Sequence, residues 1–344
     1  MVAVALFSRV AYPKLYSVAA GSSGVNATVS ANTVPQFILP ALSLDVVAGG
    51  AATSALSSAG SAGSDGAVAD SAAAPSDSNT ASVTPEGPVA DSVFSRVGSA
   101  ETPSLAVEAS LVADLTTGTR FMEENATERW PLASVTKLMT ATVVLDKLSP
   151  AQKITITQDA FNVDPTEKNL RVGDTYTTTD LLQFLLLPSS NVAAEAFADA
   201  YGRDNFMKEM NARAAAWGMT NTFYNDPSGL AIGSQSTASD LVLLAQKIYT
   251  DYPKILAITR TPQVTVTEIS SGQQVVVKNI NEFSGESDFI GGKTGYTDQA
   301  DGNLLSIFSD GGHPIVVIVL GTDENARFAN TKALYNWFTE NFKL

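Results

Sequence analysis

The residues of this chain whose types and spacing can do chemistry fall into three short groups. They are Ser134-Val135-Thr136-Lys137, Ser189-Ser190-Asn191 and Lys293-Thr294-Gly295. Side chains three apart on a helix share a face, so Ser134 and Lys137 would meet there. A neutral lysine amine can take a serine proton, which needs a pKa lowered by burial or by a second cation such as Lys293. A serine at a helix N-terminus also feels the positive end of the dipole, which favours an oxyanion forming nearby. At a helix break, the Ser189 hydroxyl can relay a proton between lysine and leaving group. The Asn191 amide can hold a substrate carbonyl or orient Lys137. A strand that turns Lys293 and Thr294 into a cleft can bind a carboxylate, and Gly295 lets substrate backbone approach. The backbone N–H groups of Tyr296 and Ser134 would complete an oxyanion hole.

Each group has an ordinary reading when taken alone. A Ser-x-x-Lys match arises by chance roughly once in a chain of this composition. Ser and Asn favour turns, and Lys293 would suit a surface turn. The weight lies in the fixed order, with 55 residues from Ser134 to Ser189 and 104 from Ser189 to Lys293. Other chemistries find little material. The single histidine, His313, sits beside Gly311, Gly312 and Pro314 and reads as a turn residue, although a Ser-His-Asp triad would have to use it. There is no cysteine, so thiol catalysis, disulfides and His/Cys zinc sites are excluded. No metal and no cofactor are expected. A net charge of −14 argues against nucleic acid as a partner, because such binding relies on Lys and Arg neutralising phosphates.

The elements that must position these groups follow from the patterning. Residues 109–114 and 119–122 read as a hairpin around Thr116-Thr117-Gly118. Apolar spacing predicts a helix from Ser134 through Leu148, with Ser134 at its N-cap or first turn and Pro150 beyond its end. A second helix, 181–187, is interrupted by Pro188, and a third spans 192–201. Further helices are expected at 206–217, 240–249 and about 325–341. Residues 264–269 and 273–278 form a second hairpin, and 304–308 and 315–320 a third. Strands at both ends with a helical middle predict an α+β fold, an antiparallel sheet joined by both ends of the domain and packed on a helical cluster.

The 344 residues divide unevenly. Between Lys14 and Arg96 there is no Lys or Arg, and residues 50–102 are rich in Ala, Ser, Gly and Asp. Such a stretch buries too little apolar surface to offset its ordering entropy and reads as a flexible linker. Residues 103–344 carry the periodicity of one large domain. Residues 1–49 form a separate N-terminal segment. Its apolar run Met1–Phe7 precedes Arg9 and Lys14, the reverse of a simple signal peptide, and is too short to span a bilayer. It reads either as the tail of a membrane anchor or as a stray apolar patch.

From about residue 103 the chain resembles the D-alanyl-D-alanine carboxypeptidases, the low-molecular-mass penicillin-binding proteins. Residues 131–141 match the family's nucleophile segment closely. Residues 210–211, 218–219, 222–223 and 229–230 fit the run after the second motif, 236–241 the family's next helix start, and 291–297 and 317–321 its closing strands. Ser190 and Val192 depart from the residues many relatives carry beside the second motif. The resemblance implies a β-lactamase-like transpeptidase fold and a serine peptidase acting on peptidoglycan stem peptides. Ser134 would be the nucleophile, Lys137 the base and Ser189 the relay, with Asn191, Lys293, Thr294, Gly295 and Tyr296 binding substrate. β-Lactams would be covalent inhibitors, and the location extracytoplasmic, with any membrane tether at the N-terminus. A D,D-endopeptidase is the nearest alternative. A class A β-lactamase would need a Glu-x-x-Leu-Asn stretch after Asn191, where residues 225–229 read Asn-Asp-Pro-Ser-Gly. A non-catalytic wall-binding module would tolerate loss of Ser134 or Lys137, yet both are present.

Overall fold

The computed structural model describes residues 93–344. The N-terminal segment 1–49 and the linker as far as residue 92 lie outside them.

The described chain opens with β1 (Ser95–Arg96), β2 (Ala109–Asp114) and β3 (Arg120–Glu124), followed by β4 (Trp130–Pro131). A 3-10 turn, Ala133–Thr136, runs directly into α1 (Lys137–Lys147). Then come β5 (Lys153–Thr155), α2 (Gln158–Asn162), β6 (Thr175–Thr177), α3 (Thr178–Leu186), α4 (Asn191–Tyr201) and α5 (Arg203–Ala216). The helical middle ends with β7 (Gln235–Ser236), α6 (Ala238–Asp251) and α7 (Pro253–Thr259). The last part holds β8 (Gln263–Thr267), β9 (Gln274–Lys278), β10 (Phe289–Thr297), β11 (Asp301–Asp310), β12 (His313–Thr322), α8 (Arg327–Asn341) and β13 (Phe342–Lys343).

The main sheet is antiparallel throughout, in the order β10-β11-β12-β2-β3. Its central strands are buried on both faces, which is why β12 reads as the continuous apolar run Ile315–Leu320. Period-two alternation still sorts the side chains. Leu111, Leu305, Ile307, Val316 and Ile318 face the helical cluster, while Val112, Leu304, Phe308, Ile315 and Val317 face α8. The α8 layer is aromatic, with Tyr335 stacked on Phe308 at 4.3 Å between ring centroids. At the centre of the helical layer, every residue of α1 from Lys137 to Val144 is buried.

Two short helices, α2 and α7, escaped the periodicity reading because each offers fewer than two full turns of pattern. Both carry local start signals: Thr157 caps α2 by accepting from Ala160 N, and Pro253 opens α7. The expected start of the folded part at residue 103 is too late. Phe94 is buried against the rings of Phe121, His313 and Phe338, and β1 pairs with β13. One aromatic and a two-residue pairing are too little pattern to stand out from the Ala/Ser-rich stretch before them. His313 opens β12, with Nδ1 3.3 Å from the buried Asp114 carboxylate.

Candidate active site

Ser134 lies in the second position of the 3-10 turn and is not a capping residue, since no side chain caps that turn. Ala133 before it adopts φ +46°, a left-handed conformation costly for a residue with a Cβ. Neighbouring elements hold this bend from both sides. Asn303 on β11 donates through Nδ2 to Pro131 O at 2.8 Å and accepts from Gly321 N at 2.9 Å, tying the approach to Ser134 to the sheet. Gly229 presses on the other side. A Cβ there would fall 1.8 Å from Ala133 O, so only glycine fits, and its φ of +87° asks for glycine as well.

The three groups converge as their spacing suggested. Lys137 Nζ lies 2.7 Å from Ser134 Oγ, 2.7 Å from Asn191 Oδ1 and 2.8 Å from Ser228 O. Lys293 Nζ donates to Ser189 Oγ at 2.8 Å and to Thr294 O at 3.0 Å. Ser189 holds φ +66° at the break between α3 and α4. Both lysines are buried. Burial pulls the Lys137 amine down to about 7, against the opposing pull of Asp226, Asp164 and Glu167. The Lys293 amine is pushed well below its usual value by burial, then by the nearby charges of Lys137 and Arg327.

When Lys137 is neutral, its environment sets a direction for the proton. A neutral amine has two hydrogens and one lone pair. Asn191 Oδ1 and Ser228 O can only accept, so they take the two hydrogens. The lone pair is left for Ser134, whose hydroxyl then donates to it. In that neutral state the geometry lets Lys137 accept a proton from Ser134.

Gly295 also has a reason within the fold to lack a side chain. A Cβ on it would meet the chain's own backbone, 2.7 Å from Leu132 O and 3.2 Å from Ser134 N. The missing side chain lets β10 lie against the turn that carries Ser134. A cleft of about 260 Å³ opens here, lined by Ser134, Ser189, Asn191, Thr294, Gly295 and Tyr296 together with Asp164 and Arg327.

Four contributors went unread in the sequence. Arg327, the first residue of α8, reaches the cleft with Nη1 3.4 Å from Gly295 O, and its buried Nε has no partner among the described residues. A guanidinium at a helix N-terminus runs against the dipole, and that was its one legible signal. Asp226 organises the loop that supplies Ser228 O. Its carboxylate accepts from the backbone N–H of Ser228, Gly229, Leu230 and Ala231 and from the hydroxyls of Ser228 and Ser234. Thr140 on α1 donates to Pro227 O at 2.6 Å and fixes the same loop. Asp164 accepts from Asn191 Nδ2 at 3.0 Å. Among the described residues, no group of His, Cys, Asp and Glu is placed to hold a metal ion. No helix among them is long and apolar enough to cross a membrane.

Known proteins match most of the described chain. Residues 96–324 match the D-alanyl-D-alanine carboxypeptidase peptidase family. A D-alanyl-D-alanine endopeptidase of Pseudomonas aeruginosa is 32% identical over 242 residues, 68% of this chain and 77% of that protein. A D-alanyl-D-alanine carboxypeptidase from Mycobacterium tuberculosis superposes with a TM-score of 0.65 at 28% identity, over 71% of this chain and 95% of the other. Penicillin-binding protein D2 from Listeria monocytogenes, in its cefotaxime-bound form, gives 0.60 at 30% identity, over 69% and 98%.

Proposed function

The chain belongs to the D-alanyl-D-alanine carboxypeptidase family of serine peptidases, and from that premise we propose that it removes the terminal D-alanine from peptidoglycan stem peptides through an acyl-enzyme on Ser134. The observation that carries the proposal is the buried Lys137 amine 2.7 Å from Ser134 Oγ, with Asn191 Oδ1 and Ser228 O as its other two partners; burial pulls it down to about 7.

Lys137 takes the Ser134 proton as Oγ bonds to the carbonyl carbon of the D-Ala-D-Ala link. The oxyanion forms beside the backbone N–H groups of Ser134 and Tyr296. Lys137 returns the proton through Ser189 to the leaving amine as the C–N bond breaks. Water then attacks the ester with Lys137 again accepting a proton, the C–Oγ bond breaks, and Ser134 recovers its hydrogen. Lys293, Thr294 and Arg327 hold the departing residue's carboxylate. Asn191 is close enough to the cleft to meet the substrate's amide carbonyl while it orients Lys137. β-Lactams enter by the same step and stay as an ester on Ser134. Such an enzyme works on the cell wall, in the envelope.

Mass mapping after incubation with a labelled penicillin tests the nucleophile. The adduct is expected on Ser134, and Ser134→Ala abolishes it while leaving the fold intact. An adduct on Ser189, or none, overturns the assignment. The P. aeruginosa relative is named an endopeptidase, which favours cross-link cleavage as the second reading. Digestion of purified muropeptides separates the two: loss of one D-alanine from monomers marks the carboxypeptidase, and conversion of dimers to monomers marks the endopeptidase.

A further inference from the structure

The stretch 163–174 between α2 and β6 supplies neither nucleophile, base nor carboxylate anchor, yet two of its carboxylates reach the second motif. Asp164 Oδ2 accepts from Asn191 Nδ2 at 3.0 Å, and Glu167 Oε2 accepts from Ser190 Oγ at 2.5 Å. Each carboxylate is fixed from its own side. Asp164 Oδ1 accepts from Thr166 N and Oγ1 at 3.2 and 2.6 Å, and Glu167 Oε1 accepts from Lys168 N and Asn169 N at 2.9 and 2.8 Å. One oxygen of each acid therefore serves its own loop and the other serves the motif.

We propose that Asp164 is a positioning residue for the reaction: it fixes the Asn191 side chain with the amide oxygen on Lys137, and so keeps the Lys137 lone pair aimed at Ser134. The inference rests on Ser134 being the nucleophile. The two ends of an asparagine amide are alike in shape, and only their partners tell them apart. A reversed Asn191 would point its NH2 at Lys137. The neutral amine could meet it only with its lone pair, which would then be lost to Ser134. A carboxylate accepts and cannot donate, so Asp164 admits only the productive orientation. Burial pushes the Asp164 carboxyl up, but donation from Thr166 and Asn191 and the charge of Lys137 outweigh it and hold the group below its usual value. Asp164 is thus an anion at any pH where Lys137 is neutral. Glu167 acts alongside by steadying Ser190, which flanks the strained Ser189 and caps α4 through Ala193 N.

Asp164 has a second effect through its charge. The charged groups facing Lys137 are Asp226 from the 225–231 loop, Asp164 and Glu167 from the 163–174 stretch, and Lys293 on β10, with Arg327 beyond Lys293. Removing Asp164 takes away one of three anions that favour the protonated amine. The lysine then becomes neutral at lower pH.

The test measures the acylation rate by a fluorescent penicillin, and kcat/KM on a D-Ala-D-Ala peptide, across pH for wild type, D164N and D164A, with Tm for each. Asparagine at 164 keeps an acceptor for Asn191 without the charge, and alanine keeps neither. D164A is expected to acylate roughly 10-fold more slowly or worse at pH well above 7, the size of a lost charge-assisted hydrogen bond. D164N is expected to lose several-fold less. In both, the acid limb of the profile moves to lower pH, which a loss of stability alone would not cause. Wild-type rates and limb in D164A overturn the proposal, as does a D164N as slow as D164A with its limb unmoved. If D164A does not fold, D164N decides through its limb: an unmoved limb overturns the idea. A wild-type protein that no penicillin acylates instead overturns the reading of Ser134.

Discussion

At the scale of single residues, the site is a set of buried charges held by acceptors and donors in the right places. If Lys137 is the base it must be neutral to act, and with burial pulling it to about 7, kcat/KM should rise as pH rises through that value, reporting the free enzyme. A profile flat from pH 5.5 to 8.5 would contradict Lys137 as base. Lys293→Ala should slow cleavage of a free-carboxylate peptide by about 10- to 150-fold, and that of its amidated analogue far less. Equal losses on both would mean that Lys293 serves the catalytic groups and not the carboxylate. Asp226 makes a stability prediction with a sign. Burial pushes its carboxyl up, but donors from Ser228, Ala231 and Gly229 win and hold it below the usual range. Its contribution is therefore complete above the unfolded carboxylate value and is lost as pH falls through the lower folded one. Asp226→Ala should cost about 2–4 kcal/mol in denaturant unfolding, by stranding four backbone donors and two hydroxyls. Acylation should slow with it, because Ser228 O is no longer fixed.

At the scale of elements, glycine decides how close the pieces come. Gly295→Ala should move β10 off the turn that carries Ser134 and lower penicillin acylation by roughly 10-fold or more, with a small change in Tm. An unchanged rate would show that the contact is slack. The elements were legible where the pattern was long. The helix after Ser134, the strands 304–308 and 315–320 and the closing helix all stand in the structure near their expected bounds. What failed to show is what local pattern cannot carry. Arg327, Asp164 and Asp226 belong to no repeating pattern, and their roles exist only after distant segments fold together. The packing of Gly295 on Leu132 O was illegible for the same reason: the sequence shows a missing side chain but not the backbone beside it.

At the scale of the whole molecule, the ends of the described chain meet. β1 pairs with β13, and Phe94 enters the aromatic layer that holds Phe121, Phe338 and Phe342. Phe94→Ala should cost roughly 3 kcal/mol, and a version beginning at residue 103 should melt below one beginning at residue 93. Equal Tm values would make these first ten residues an ornament. The overall α+β architecture was readable because it follows from the order of strands and helices, whereas that starting boundary depends on a partner strand at the far end of the chain.

The strand order of the main sheet also sets a timetable for synthesis. The β2–β3 hairpin can form as soon as it is made, but the neighbour of β2 is β12, about 200 residues later. Lys293 lies on β10 and Arg327 at the start of α8, both late in the chain. Until β12 has been made, one edge of β2 has no partner, and the side of the cleft that holds Lys293 and Arg327 is complete only once α8 has begun. Pairings of such long range are slow, and the waiting edge is a place for chaperones or for aggregation. A nascent chain arrested before β12 should therefore bind no penicillin, even though Ser134, Lys137 and Asn191 are already present.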